Sequence, residues 1–352
     1  MPVLADQGPA ACPGQWLERV VFQVIAIGSR LEFDRYNECA PPERPQARAD
    51  AASRDPCEPI SDTFDMDLVI QSPDLPTAAV EAFKVACVAG SVKRRTNSAR
   101  LVHIQDDADT RRAAAALATY WKCDAAFVAP GLKLSDFRLL ALDMDSTLIN
   151  IESLDEIAAY AGRGKEVAAI TEAAMRGEIA DYKESLRQRV AMLAGADASL
   201  LDRVYEEKLR LNAGAEQLIE ACKTAGLKTL LVTGGFTQFT ERMKQRLGFD
   251  FVRSNELEIA AGQLTGRVTG PGGGEIIDAE GKAQAVRDAC AEIGCATSAS
   301  IVIGDGANDL KMLNLAGISV AYRAKPVVAQ EASQALNYSP LDGVLAWFSD
   351  QN

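Results

Sequence analysis

The chain has 352 residues, about half of them apolar, with 49 acidic side chains against 37 basic ones and a net charge of -12. An average surface this acidic repels nucleic-acid backbones and anionic membranes, so partners of those classes are not expected. The single histidine, His103, leaves no basis for a His-rich zinc site or a Ser-His-Asp triad, and eight cysteines without a CxxC pair fit reduced thiols in a cytoplasmic protein.

Residues 1–65 lack periodicity, and Cys39–Pro59 is rich in Pro, Ala, Arg and Asp. That composition predicts a disordered or non-native extension, with a short docking helix over Trp16–Ile27 as the alternative. From 66 to 130 the pattern alternates. Strands are expected at Asp67–Gln71, Ser91–Ser98, Leu101–Gln105 and Ala125–Val128, and helices at Thr77–Val88 and Ala108–Trp121. This βαββαβ order predicts a small ferredoxin-like α+β domain. Pro130–Asp136 reads as a linker.

Phe137–Leu142 is an apolar run of strand length that ends at Asp143. Ile151–Ala213 is helical in pattern, broken at Gly162, Gly164, Gly177 and Gly195. Apolar strands are then expected at Leu227–Val232, Ser300–Ile303 and Ile318–Ala321, alternating with helices. Continuous apolar strands between helices predict an α/β unit whose parallel sheet is covered on both faces, with the helical block inserted into it. Glu256–Pro271 reads as a β-hairpin around Ala261-Gly262-Gln263, and Gly272-Gly273-Gly274 as a turn rather than a phosphate loop. No apolar run approaches the ~20 residues that span a bilayer.

Three of the predicted strands run into polar or glycine-containing turns: Asp143-Met-Asp-Ser-Thr-Leu, Thr233-Gly-Gly-Phe and Gly304-Asp-Gly-Ala-Asn-Asp. In an open α/β sheet such turns share one crevice at the carboxyl ends of the strands. Asp143 and Asp145, two apart, repel when both are ionised, and a divalent cation relieves this; an all-oxygen set completed by Asp305 suits Mg²⁺. Asp143 is the candidate nucleophile and Asp145 the candidate acid and base. Thr233 and Gly234 can offer a hydroxyl and backbone N–H groups to phosphoryl oxygens at a strand-to-helix turn. Lys282 is the candidate cation against the transferred group.

These motifs resemble the haloacid dehalogenase (HAD) superfamily over roughly residues 137–345, and within it the sequence is similar to the phosphoserine phosphatase family. The resemblance rests on Asp143-x-Asp145-Ser-Thr147-Leu, Thr233-Gly234, Lys282 and Gly304-Asp305-x-x-Asn308-Asp309, joined by Glu152 and by Ser185-Leu-Arg-Gln-Arg189-Val. It implies a HAD-like Rossmannoid core over 131–151 and 213–352, a helical cap over 152–212, and an ACT-like domain over 66–130. It implies Mg²⁺-dependent hydrolysis of phosphoserine through an aspartyl-phosphate, in serine biosynthesis. Glu152 would bind the substrate ammonium and Arg189 its carboxylate, with Met175 and Tyr182 covering the methylene. Asn308 would serve the substrate side, and Asp309 would join Asp143, Asp145 and Asp305 around the metal. A small-molecule substrate and no membrane are expected, and a homodimer is allowed. Thr233 stands where the family usually has Ser, and Met175–Tyr182 is one residue longer than in the relatives. A phosphatase for homoserine or sugar phosphates, or a non-catalytic amino-acid sensor, are the alternative readings.

Overall fold

The computed structural model describes residues 65–351. The expectations for residues 1–64, disorder and the Trp16–Ile27 helix alike, lie outside the described residues. The chain divides into two compact units between Pro130 and Gly131.

The first unit runs β1 (Asp65–Gln71), α1 (Thr77–Ala86), β2 (Ser91–Arg94), β3 (Ser98–Gln105), α2 (Ala108–Trp121) and β4 (Asp124–Val128). Its antiparallel sheet has the order β2-β3-β1-β4, and the two helices close over Leu68, Ile70, Leu101 and Ile104 with Ala79, Phe83, Ala114 and Leu117. The order is the ferredoxin-like one expected, consistent with an ACT-like domain. β2, an edge strand, ends at Arg94, short of the expected Ser98. The chain turns at Arg95, whose N–H donates to Ser98 at 2.8 Å, and returns as β3.

The second unit opens with β5 (Leu139–Leu142), buried along its whole length. The chain then makes one wide turn over Met144–Leu148 and enters α3 (Ser153–Tyr160), α4 (Gly164–Met175), α5 (Tyr182–Ala191) and α6 (Ser199–Arg203). It continues through α7 (Ala215–Thr224), β6 (Lys228–Phe236), α8 (Thr237–Leu247), β7 (Phe251–Ala260) and β8 (Gln263–Thr269). The last elements are α9 (Ala279–Ile293), β9 (Ser300–Gly304), α10 (Leu310–Leu313), β10 (Ile318–Tyr322), α11 (Pro326–Glu331) and β11 (Gln334–Leu336).

The sheet order is β11-β10-β9-β5-β6-β7-β8, parallel except for the β7–β8 hairpin. From β5 the chain builds outward through β6, β7 and β8, then crosses to the other side of β5 for β9, β10 and β11. That reversal opens a crevice beyond the carboxyl ends of β5, β6 and β9. Every residue of β5, β9 and β10 is buried, as expected for a sheet with helices on both faces. The expected hairpin is present, and its turn at Ala261-Gly262 has both φ angles positive (50° and 78°); such a turn matches the twist of the strands it joins.

The helices α3–α6 leave and rejoin the sheet at one place. An isolated antiparallel bridge pairs Ile149 with Leu211. The Asn212 side-chain amide donates to the carbonyls of Thr147 (2.8 Å), Ile149 (3.1 Å) and Ser146 (3.3 Å). The far side of this helical block rests on the hairpin: Gly195 N–H donates to Leu264 O, and Leu264 N–H to Ala196 O, both at 2.8 Å.

Candidate active site

Asp143 directly follows β5, and its N–H donates to Ile303 O of β9 at 3.0 Å, which extends the sheet pairing by one residue. Its carboxylate is buried, and Oδ1 accepts from Lys282 Nζ at 2.7 Å. Lys282 comes from the first turn of α9, whose start is fixed by the Asp278 side chain accepting from Gly281 N–H. The same ammonium donates to Asp309 Oδ1 at 2.7 Å, so one fully buried lysine joins two buried carboxylates. Burial alone would lower the Lys282 pKa, but Asp143 and Asp309 hold it well above its ordinary value.

The other Asp309 oxygen accepts from the N–H groups of Gly306 (3.0 Å) and Asp305 (3.2 Å). A Cβ on Gly304 would lie 2.6 Å from this carboxylate, so only glycine lets the chain pass so close. Asp309 therefore braces the loop after β9 and the lysine together. The Asp305 carboxylate has a partner of its own, its Oδ1 accepting from Thr147 Oγ1 at 2.9 Å.

Carboxylate oxygens of Asp143, Asp305 and Asp309 all lie within 4.8 Å of one another. Burial, then repulsion from Asp309, pushes Asp143 well above the usual carboxylate range, and the same two causes push Asp305 up to about 6. Three hard oxygen donors that repel one another are the donor chemistry of a divalent cation such as Mg²⁺ or Ca²⁺. The site thus fits a metal-dependent reaction.

The Asp145 side chain stands apart from the other three carboxylates. It accepts from Ser153 Oγ (3.0 Å) and Ser153 N–H (3.2 Å) at the start of α3, outside that cluster. Burial, then the neighbouring Glu152, pushes it up to about 7, so near neutral pH it can hold a proton.

The Thr233-Gly234-Gly235 segment also differs from expectation. It is not a turn into a helix: β6 continues through Phe236, with a slip of register after Val232, and α8 begins at Thr237. Its glycines are required by space rather than by backbone angle. A Cβ on Gly235 would lie 2.8 Å from Met144 Cε and 3.0 Å from Asp145 Oδ2, and one on Gly234 would collide with the Tyr182 hydroxyl. Thr233 Oγ1 accepts from Gly235 N–H at 2.9 Å, which leaves its own proton to donate.

One cavity of about 260 Å³ brings these groups together. Asp143, Asp145, Lys282, Thr233, Gly234, Asp305 and Asn308 line its floor, and Glu152, Tyr182 and Arg189 line the side made by the inserted helices. Glu152 Oε1 accepts from Ser146 Oγ at 2.7 Å. Arg189 spends only Nε, on Ser185 O of its own helix at 3.4 Å, and its terminal guanidinium nitrogens have no partner among the described residues.

Met175 is the expected residue that the structure leaves out. It is 76% exposed at the end of α4, a helix whose single buried residue is Val167, and it does not line the cavity. Leu154, Leu186 and Phe236 supply the apolar wall instead. The sequence reading also passed over Ser153, Asn212 and Lys325, and named Thr147 only as part of a motif. It passed over Asn255 too, which donates to Gly234 O and accepts from Ile277 N–H, both at 2.8 Å. Thr147 alone carried a signal, lying inside the motif that begins at Asp143.

Comparison with known proteins agrees with this geometry. The haloacid dehalogenase-like hydrolase profile matches residues 140–314. A phosphoserine phosphatase of Polaromonas sp. is 58% identical over 216 residues, covering 61% of this chain and 92% of that protein. The solved structure of a probable phosphoserine phosphatase from Vibrio cholerae superposes with a TM-score of 0.70 at 32% identity, over 83% of this chain and 89% of the other. A solved phosphoserine phosphatase described as a phospho-aspartyl intermediate analogue superposes with a TM-score of 0.55 at 31% identity, over 60% of this chain and 99% of the other. The chain belongs to the haloacid dehalogenase-like hydrolases, and within them to the phosphoserine phosphatase family.

Proposed function

We propose that the chain hydrolyses O-phospho-L-serine to serine and phosphate through an aspartyl-phosphate on Asp143, with magnesium as its resident ion. The observation that carries this reading is the shared cavity. It sets a lysine-held nucleophile beside a second, protonatable aspartate, and sets Glu152 and an uncommitted Arg189 fork opposite them.

The substrate needs four recognitions. Glu152 offers a carboxylate to the ammonium, and the terminal nitrogens of Arg189 offer a planar pair of donors to the carboxylate. Leu154, Leu186 and Phe236 face the methylene. Thr233 Oγ1, Gly234 N–H and the Asn308 amide face the phosphoryl oxygens. Asp143 and Asp305 would hold a divalent cation, which would supply positive charge against those oxygens and let two close carboxylates stay ionised together.

Asp143 Oδ attacks phosphorus, and the bond from phosphorus to the serine oxygen breaks. Asp145 gives its proton to that departing oxygen. A water then attacks phosphorus and passes a proton to Asp145. The acyl-phosphate bond opens, phosphate leaves, and the Asp143 carboxylate is restored. Lys282, braced by Asp309, opposes the negative charge on the transferring group and fixes the rotamer of the nucleophile. The solved relative described as a phospho-aspartyl intermediate analogue supports this route. The reaction closes the biosynthesis of serine. A cytoplasmic location belongs to the same proposal, supported by five free cysteines among the described residues. No helix of the described residues is long and apolar enough to cross a membrane.

The test is phosphate release from a panel of phosphomonoesters, with Mg²⁺ and with EDTA. Phosphoserine should be turned over best, and EDTA should abolish turnover. Equal rates on sugar phosphates, which have neither ammonium nor carboxylate, would remove the substrate assignment.

A further inference from the structure

The inserted helices carry one polar atom into the cavity that the mechanism above does not use. Tyr182 is the first residue of α5, and its ring lines the cavity. Its hydroxyl lies against Gly234, so close that any side chain there would displace it. Asn255 holds Gly234 through the 2.8 Å bond to its carbonyl, so the Gly234 side of this contact is fixed. The hydroxyl makes no hydrogen bond to any described residue, although Lys282, Arg189, Asp143 and Asp145 all lie near enough to act on it electrostatically. Covering an apolar methylene needs only the ring. A hydroxyl brought into a closing site without a partner is a cost, unless the ligand provides an acceptor.

We propose that the Tyr182 hydroxyl donates a hydrogen bond to the phosphoryl group, a contact from the inserted helices that joins the Thr233 and Gly234 donors of the sheet. Burial pushes the phenol up, so it keeps its proton throughout the working range. The Tyr182 hydroxyl lies against Gly234, one of the donors assigned to the phosphoryl oxygens, which makes the phosphoryl group its acceptor. The donor belongs to α5, so it ties the inserted helices to the phosphate site. The inference rests on the phosphatase reading for its setting, though phosphate binding can be measured without turnover.

The experiment compares wild type with Tyr182→Phe, which keeps the ring and removes the oxygen. Inorganic phosphate is titrated calorimetrically in Mg²⁺, and thermal unfolding is followed without phosphate. Loss of a hydrogen bond to a charged acceptor should weaken phosphate binding on the order of tenfold. The kcat/KM for phosphoserine should fall by a similar factor, with the phosphate-free unfolding midpoint unchanged. Equal phosphate affinity in the two proteins overturns the proposal. Phosphate binding that depends on Tyr182, in a protein that fails to hydrolyse phosphoserine, would sink the substrate reading and leave this one standing.

Discussion

Lys282 is buried between two carboxylates, and that fixes what its loss would do. Lys282→Met leaves Asp143 and Asp309 buried face to face. Removing one member of a buried ion pair typically costs about 3–5 kcal/mol. Urea unfolding in EDTA at pH 8 should show a loss of that size, and a smaller one at pH 5, where a carboxylate can take a proton in place of the lysine. Asp305 gives a complementary test. Its folded pKa, about 6, lies above the ordinary 3.8, so folding favours its protonated form. That contribution is fully present below about pH 4 and is lost as pH rises through about 6. In EDTA, Asp305→Asn should flatten the fall in melting temperature between pH 4 and 6 relative to wild type. The mutated amide can still accept from Thr147, so the loop should stay in place. The residues that carry charge into the site were legible because their chemistry is written in their type and in their place after an apolar run. Their partners were not. Nothing in the spacing of Asp145 distinguishes a metal ligand from an acceptor for Ser153, and nothing local marks Asn255 as the residue that holds Gly234.

At the level of elements, the inserted helices are supported from below by a two-stranded arm. Gly266, in β8, has φ 81°, and a Cβ there would lie 2.9 Å from Ala194 Cβ and 3.2 Å from Ala191 O. Gly266→Ala therefore combines an unfavourable backbone angle with a clash at the end of α5. The expected loss is about 1–3 kcal/mol in thermal unfolding, with KM for phosphoserine rising because α5 carries Arg189 and Tyr182. The hairpin itself was readable from alternation around Ala261-Gly262, and β5, β9 and β10 from their unbroken apolar character. The end of β6 was not readable. Thr233-Gly-Gly-Phe has the composition of a turn, yet the segment stays extended, because Asn255 on β7 holds the Gly234 carbonyl and Phe236 pairs again with Asn255. Met175 misled for the opposite reason. It sits at a position with the right type of side chain, on a helix that buries almost nothing.

The molecule as a whole carries a net charge of -12 and, on this reading, takes up an anion. Approach then depends on local positive charge at the mouth of the cavity. Lys325, at the start of α11, is exposed there and makes no ion pair with any described residue, while its backbone N–H donates to Asp305 O at 3.2 Å. Lys325→Gln should lower kcat/KM several-fold at low ionic strength, and the difference should shrink as salt is added. Stopped-flow or steady-state rates across a salt series read this directly. The convergence of three distant motifs was legible because they follow three parallel strands. Which strands are neighbours was not, since the crossover from β8 to β9 reverses the direction of growth without a local signature.

The single amide of Asn212 grips three successive parts of the turn behind the nucleophile while standing at the point where the helical insertion rejoins the sheet. The root of the insertion is therefore tied down by one side chain, as its far side is tied to the hairpin. The carbonyls Asn212 holds include those of Ser146 and Thr147, and the Thr147 hydroxyl in turn donates to Asp305. The base of the insertion and the acid cluster thus share one anchorage, so losing the Asn212 amide would be felt at Asp305 without any change to a residue of the cavity.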